Sequence, residues 1–336
     1  MNDTEPTIED DYVSDEPLIL ASGENLPQIV QHYAIYGELN ADKSNAVLVF
    51  HALSGSARIA DWWSGIIGAG KSLDTRKNAF ICINYIGSCY GSTGAVSINP
   101  KTGEIYGAEF PLITVSDILQ AQKRVLEYLG IEKLQAVIGS SVGGMCALQF
   151  AVDFPDSVEK CLVIGTSELS AMGLALNHLQ RESLKLENNV GLARQIAMIS
   201  YKSPELFNRR FGRNPNRSGE NPRLKFENRF DIAGYLDYQG DIFKNRFDAE
   251  TFKIISKAMD LFELSDFEIQ TIKATIYLVG ISSDWLFPAA DVKKLTERLI
   301  ENGVNAEYIN FESPDGHDAF LSDTAKMSEI LRKIHI

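Results

Sequence analysis

The stretch that most limits what this chain can fold into is Ala136-Val137-Ile138-Gly139-Ser140-Ser141-Val142-Gly143-Gly144-Met145. An apolar run breaks there at a glycine-flanked serine and resumes with helical periodicity through Phe154. A buried strand that turns at once into a helix needs a backbone conformation few side chains tolerate, with neighbours packed too closely for a Cβ. Gly139, Ser141 and Gly143 meet that need, and Pro155 ends the helical pattern. The turn reads as a nucleophile elbow. It would present Ser141 at a helix N-terminus, where backbone N–H groups, that of Val142 first, can receive a developing oxyanion.

Other segments repeat the rhythm. Ala46-Val47-Leu48-Val49-Phe50 and Phe80-Ile81-Cys82-Ile83-Asn84 are continuous apolar runs of strand length, the pattern of strands covered on both faces by helices. The first run ends in His51-Ala52-Leu53-Ser54-Gly55, where the backbone N–H of Leu53 is the candidate second oxyanion donor. Lys160 to Gly165, Ala274 to Gly280 and Ala306 to Phe311 read as further strands, with a helix from Pro288 to Glu301. A helix capped by Ser116 and stopped by Gly130 leads into the elbow strand. Alternating stretches between Leu18 and Tyr36 suggest a leading antiparallel edge, with His32 structural. The small-residue loop Gly87 to Gly94 admits two readings, a place where substrate comes close or an ordinary flexible connection. From Ser167 to about Leu264 strand rhythm is absent and helical patterns dominate, as in a lid. The expected organisation is an acidic, mobile tail over 1–17, a first core segment over 18–166, a helical lid over 167–264 and a second core segment over 265–336. The tail expectation rests on seven acidic and no basic side chains among those first 17 residues.

Composition narrows the function classes. A net charge of -13 with no basic stripe argues against nucleic acid, and no apolar run is long enough to span a bilayer. The N-terminus has no basic start followed by an apolar segment, so a cytoplasmic location is expected. Cys82, Cys89, Cys146 and Cys161 form no Cys-x-x-Cys pair and the five histidines are scattered, so free thiols and no metal site are expected.

A serine nucleophile needs a base to take its proton and an acid to orient that base. In a sheet fold of this kind the acid follows a late strand and the histidine follows the last one. Asp284 in Ser282-Ser283-Asp284-Trp285 and His317 in Asp315-Gly316-His317-Asp318 occupy those places, with Asp315 a rival acid. Chain order sets His51 aside as the base. The fold class is therefore α/β, an α/β-hydrolase fold with a mostly parallel sheet and a helical lid.

With these residues in view, the chain resembles the homoserine O-acetyltransferase family. The likeness runs from about Leu18 to the C-terminus and rests on eight stretches. They are His51 to Ser56, Gly87 to Gly94 with Ser97-Ile98-Asn99-Pro100, the elbow, Arg194 to Tyr201, Tyr238-Gln239-Gly240, Arg246-Phe247-Asp248-Ala249, Ser283-Asp284-Trp285, and Gly316 to Phe320. The resemblance implies an acetyl-CoA-dependent transferase of methionine synthesis with no bound cofactor, working through an acyl-Ser141 intermediate and dimeric through its lid. By the same resemblance Arg194 holds the L-homoserine carboxylate, Asp318 its ammonium group, and Tyr201 stands beside them. A zwitterion in a dry pocket needs one fixed charge of each sign. The resemblance also makes Leu286 an acyl-specificity position, since relatives using succinyl-CoA carry a basic residue there. Two departures bear on pocket shape: Ser140 and Val142 replace Gly and Met, and the segment from Gln180 to Gly191 is shorter than in relatives. Another acyl donor such as succinyl-CoA, a serine acceptor, and an esterase or thioesterase using the same triad remain alternatives, because fold and triad do not decide which nucleophile takes the acyl group.

Overall fold

The elbow strand lies near the middle of an eight-stranded sheet in the computed structural model, which describes residues 5–186 and 190–336. The strands are β1 (Ile8–Ser14), β2 (Leu18–Ile19), β3 (Asn25–Leu26), β4 (Ile29–Tyr36), β5 (Ala46–Phe50), β6 (Ala79–Ile83), β7 (Leu134–Ser140), β8 (Val158–Ile164), β9 (Thr275–Ile281) and β10 (Ala306–Phe311). The helices are α1 (Ile59–Trp63), α2 (Val115–Tyr128), α3 (Val142–Asp153), α4 (Ala171–Leu184), α5 (Val190–Tyr201), α6 (Pro204–Arg210), α7 (Asp231–Lys244), α8 (Ala249–Asp260), α9 (Asp266–Ile269), α10 (Ala289–Glu301), α11 (Ala319–Ser322) and α12 (Thr324–Ile334). The main sheet runs β1-β4-β6-β5-β7-β8-β9-β10, while β2 and β3 form a separate small ladder. β1 and β4 pair antiparallel, as do β4 and β6; every later pairing is parallel.

The unbroken apolar runs have a direct cause. Along β7, Val137 joins one hydrophobic layer while Ala136 and Ile138 join the other, and along β5 Leu48 and Phe50 oppose Val47 and Val49. A strand whose alternate side chains both enter cores cannot afford a polar face. Because β5 to β10 are parallel, the loops after β5, β7, β9 and β10 open at one edge, the crevice where open α/β sheets place their ligands. The long helical segment α4 to α8 lies between β8 and β9 in the chain. No helix among the described residues is long and apolar enough to cross a membrane.

Two expectations are corrected. The acidic start is not a mobile tail over its whole length: Ile8–Ser14 is the edge strand β1, in register with β4 from Ile8↔Ile35 to Ser14↔Ile29. Its carboxylates are met by side chains distant in sequence, Arg58 bonding Glu5 and Glu9 and His32 contacting Asp11 and Glu9. Charged side chains on an edge strand also discourage pairing with other chains. Ser116 is not the cap of α2. Thr114 is, in a reciprocal capping box with Asp117, whereas the Ser116 hydroxyl donates to Asp153. The loop Gly87 to Gly94 is pinned, since Ser92 and Thr93 hydroxyls accept from the His32 and Val30 N–H groups of β4.

Candidate active site

Ser141 lies at the junction of β7 and α3 with φ 57° and ψ -128°, a strained conformation for a residue with a Cβ. Close packing around it requires the flanking glycines. A Cβ on Gly139 would lie 1.8 Å from the Gly143 carbonyl oxygen, and one on Gly143 would lie 2.4 Å from that of Phe50. The Ser141 N–H donates to Ile164 O on β8 (3.0 Å) and its carbonyl accepts from the Thr166 hydroxyl (2.7 Å). The elbow is therefore held from the next strand as well as from its own glycines.

Asp284 and His317 meet as the sequence order required. His317 Nδ1 is 2.6 Å from Asp284 Oδ2, and both side chains are nearly fully buried. The other carboxylate oxygen, Oδ1, accepts from the N–H groups of Leu286 (2.9 Å) and Phe287 (3.0 Å). An acid fixed at both oxygens holds the imidazole with Nδ1 protonated, so Nε2 carries the lone pair. Nε2 is buried without a protein partner, and both Ser141 and His317 line one cavity of about 430 Å³. The serine–histidine bond is not made here; such bonds are often long without substrate and tighten with it. Burial pushes the His317 pKa down, but the adjacent Asp284 charge and its hydrogen bond outweigh this, so the net direction is upward. Asp315, the rival acid, instead accepts from the Ser322 hydroxyl.

The same cavity is lined by Leu53, Tyr90, Arg194, Tyr201, Arg246 and Asp318. The loop after β5 thus brings Leu53 to the nucleophile, and Val142 is the first residue of α3, where a helical N–H lacks a carbonyl one turn back. Arg194 lies 5.4 Å from the Tyr201 ring and 5.0 Å from that of Phe243, and among the described residues it has no carboxylate partner. A guanidinium held by aromatic faces in a cavity is free to take a carboxylate ligand. Asp318 precedes α11 yet makes no capping bond; its carboxylate sits 2.9 Å from Lys202 Nζ. Leu286 is not in the cavity lining. Its side chain is buried in the hydrophobic core and its N–H serves Asp284. Glu187 to Asn189, inside the short segment between Gln180 and Gly191, lie outside the described residues.

Several groups escaped sequence reasoning. Lys202 follows Tyr201 directly but no spacing links it to Asp318. Arg246 donates from Nη1 to Ser54 O and to the Tyr90 hydroxyl, both at 2.9 Å, tying the helical segment to the loop after β5. The Ser283 hydroxyl donates to Ser313 O and accepts from the Gly316 N–H at 2.9 Å, which locks the loop of the acid to the loop of the histidine. Small hydroxyl residues before Asp284 were the available signal. Cys82, Cys146 and Cys161 are buried free thiols and Cys89 is half-buried. Among the described residues no cluster of His, Cys, Asp and Glu is placed to hold a metal ion.

Comparison with known proteins agrees with this fold. A family model described as alpha/beta hydrolase fold matches residues 45–324. The homoserine O-acetyltransferase of Moorella thermoacetica is 38% identical over 360 residues, covering 96% of this chain and 94% of the relative. The homoserine O-succinyltransferase of Alkalilimnicola ehrlichii is 36% identical over 352 residues, covering 95% and 92%. Among solved structures, a homoserine O-acetyltransferase from Bacillus anthracis superposes with a TM-score of 0.90 at 24% identity, covering 97% of this chain and 96% of that one.

Proposed function

Because the chain belongs to the homoserine O-acetyltransferase family of α/β hydrolases, we propose that it transfers an acetyl group from acetyl-CoA to the hydroxyl of L-homoserine, as a step of methionine synthesis. The observation that carries the reading is that Arg194 and Asp318 line the same cavity as Ser141 and His317. A plain esterase has no use for one fixed charge of each sign beside its nucleophile, whereas an amino-acid zwitterion needs both.

The steps follow from the side chains. Ser141 Oγ attacks the thioester carbonyl carbon while its proton passes to His317 Nε2. Backbone N–H groups of Leu53 and Val142 receive the oxyanion. As the carbon–sulfur bond breaks, His317 gives the proton to the CoA sulfur, leaving acetyl-Ser141. The homoserine hydroxyl, held by Arg194 at the carboxylate and by Asp318 at the ammonium, gives its proton to His317 and attacks the acyl carbon. The carbon–oxygen bond to Ser141 then breaks and His317 returns the proton to Oγ. Asp284 keeps Nδ1 protonated and stabilises the imidazolium between steps.

The acetyl preference does not rest on Leu286, which lies outside the cavity lining; it rests on the relatives' names, one of which is a succinyltransferase. Exposed Met172 and Leu179 on α4, Ile199 on α5, and Tyr238 and Ile242 on α7 support a homodimer through the helical segment, which sedimentation velocity would test. The deciding experiment for function is thiol release from acetyl-CoA with and without L-homoserine, using Ser141→Ala as control. Homoserine-dependent release abolished by the substitution is expected. Release that ignores every amino acid would refute the transferase and favour a thioesterase.

A further inference from the structure

His51 is fully buried, has no place in the proton relay, and bonds to the peptide group that carries the Leu53 N–H. Its Nδ1 lies 2.8 Å from Ala52 O, and a carbonyl can only accept, so Nδ1 carries the hydrogen. The Gly55 N–H donates to the same oxygen at 2.8 Å. In a trans peptide the carbonyl and the following N–H share a plane and point in opposite directions. The N–H opposite Ala52 O is that of Leu53, one of the two oxyanion donors in the reading above. Two donors on Ala52 O therefore fix where the Leu53 N–H points.

The imidazole is itself held. It stacks on Tyr85 with ring centroids 3.9 Å apart, and the Tyr85 hydroxyl donates to His51 O. Burial pushes its pKa down to about 4, so it stays neutral, and Nε2 is buried with no partner. Only the Nε2–H tautomer would leave Ala52 O without a donor from this ring. We propose that His51 is a positioning residue whose Nδ1–H, bonded to Ala52 O, aims the Leu53 N–H at the oxyanion. The inference rests on the acyl-serine reading but not on the identity of donor or acceptor.

The test compares His51→Phe, which keeps the ring stacked on Tyr85 but loses the donor, with His51→Asn, whose amide can occupy the place of Nδ1–H. The rate of Ser141 acylation by p-nitrophenyl acetate should fall roughly 100-fold or more in the phenylalanine variant, the scale of losing one oxyanion donor. The asparagine variant should regain at least about tenfold of that loss. Affinity for a boronic acid that forms a tetrahedral adduct on Ser141 should fall in step, while the dissociation constant of L-homoserine stays unchanged. Wild-type acylation in His51→Phe, or equal loss in both variants, would overturn the proposal. If His51→Phe does not fold, nitrogen-15 spectra of histidine-labelled wild-type protein decide: a neutral Nδ1–H tautomer from about pH 5 to 9 is expected. An Nε2–H tautomer overturns it. Ester acylation without homoserine-dependent thiol release would refute the transferase and leave this inference standing.

Discussion

Replacing Gly143 by alanine tests whether the elbow's glycines are there for space. In a helix interior alanine is favoured over glycine by about 1 kcal/mol, so α3 by itself should gain from the change. The structure opposes that gain with a Cβ 2.4 Å from Phe50 O and 2.9 Å from His51 O. Both are backbone atoms, Phe50 at the end of a strand paired on either side by β6 and β7, so neither can retreat as a side-chain tip would. Overpacking costs roughly 1–3 kcal/mol and occasionally more, and with backbone as the obstacle the upper part of that range, about 2–3 kcal/mol, applies and exceeds the propensity gain. The net expectation is a loss of about 1–2 kcal/mol. With unfolding entropy near 2.1 cal/mol/K per residue, a chain of 336 residues has a ΔS of about 0.7 kcal/mol/K, so Tm should fall by roughly 1–3 °C. Turnover should fall further than stability, because the atoms displaced lead into Leu53. Gly144→Ala is the internal contrast. Its Cβ would meet the Thr166 side chain, Oγ1 at 2.2 Å, so adding Thr166→Ala should recover part of its loss, whereas Gly143→Ala has no side chain to trim. Calorimetry and thiol-release kinetics on the three variants check this. A Gly143→Ala protein with wild-type Tm and kcat would refute the steric account of the elbow.

Three further outcomes follow from the site. His317 must be neutral at Nε2 to accept a proton and its pKa is raised, so kcat/KM should fall as pH drops through a midpoint above the ordinary 6.5; Asp284→Asn should move that midpoint down and cut kcat by roughly 10⁴-fold, the value found in trypsin-like proteases. A pH–rate series on both proteins checks the sign. Arg194→Gln should lower kcat/KM for L-homoserine by about 10- to 100-fold, the worth of a charge-assisted hydrogen bond, while acylation by acetyl-CoA measured in single turnover is unchanged. Ser283→Ala removes the bonds to Ser313 O and from the Gly316 N–H, and should cost about 1–2 kcal/mol of stability by calorimetry and reduce acylation and deacylation rates together.

The sequence revealed what depends on neighbours along the chain. A buried strand writes itself as an unbroken apolar run because both its faces are covered, and the elbow writes itself as Gly-x-Ser-x-Gly because the contacts that exclude a Cβ recur at fixed offsets. Ser141, Asp284 and His317 could be placed because each follows a strand in an order the topology imposes. What stayed hidden depends on partners far apart in the chain. The acidic start read as a free tail because the side chains that bind it, Arg58 and His32, become neighbours only once β4 and the loop before α1 are in position. Lys202 and Asp318 are separated by more than a hundred residues, and no periodicity connects them. The surroundings of Leu286 stayed hidden for a related reason: a position two residues past the acid faces the cavity or the core according to how its loop turns, and here its side chain lies in the core while both Leu286 and Phe287 donate backbone N–H groups to Asp284.

Those long-range contacts give the helical segment a role beyond covering the cavity. The residues just past α5 touch both catalytic loops: Trp285 Nε1, on the loop of the acid, donates to Lys202 O at 3.1 Å, while on the loop of the histidine Pro314 O accepts from the Ser203 hydroxyl and Asp318 binds Lys202. Gly316, at φ 75°, lies so close to Ser203 that a Cβ there would be 2.6 Å from its N–H nitrogen. The helix that carries Arg194 and Tyr201 is thus packed directly against the loop that carries His317 and Asp318. A shift of α5 large enough to move the carboxylate subsite would have to move the base as well. Deacylation needs the acceptor hydroxyl within about 3 Å of Nε2, a tolerance that two independently mobile elements would not hold. If Arg194 and Asp318 hold the acceptor as proposed, the coupling favours an acceptor gripped by both elements over water, which neither grips, and the contact of Lys202 and Ser203 with Gly316 contributes to transfer over hydrolysis beside the two charges.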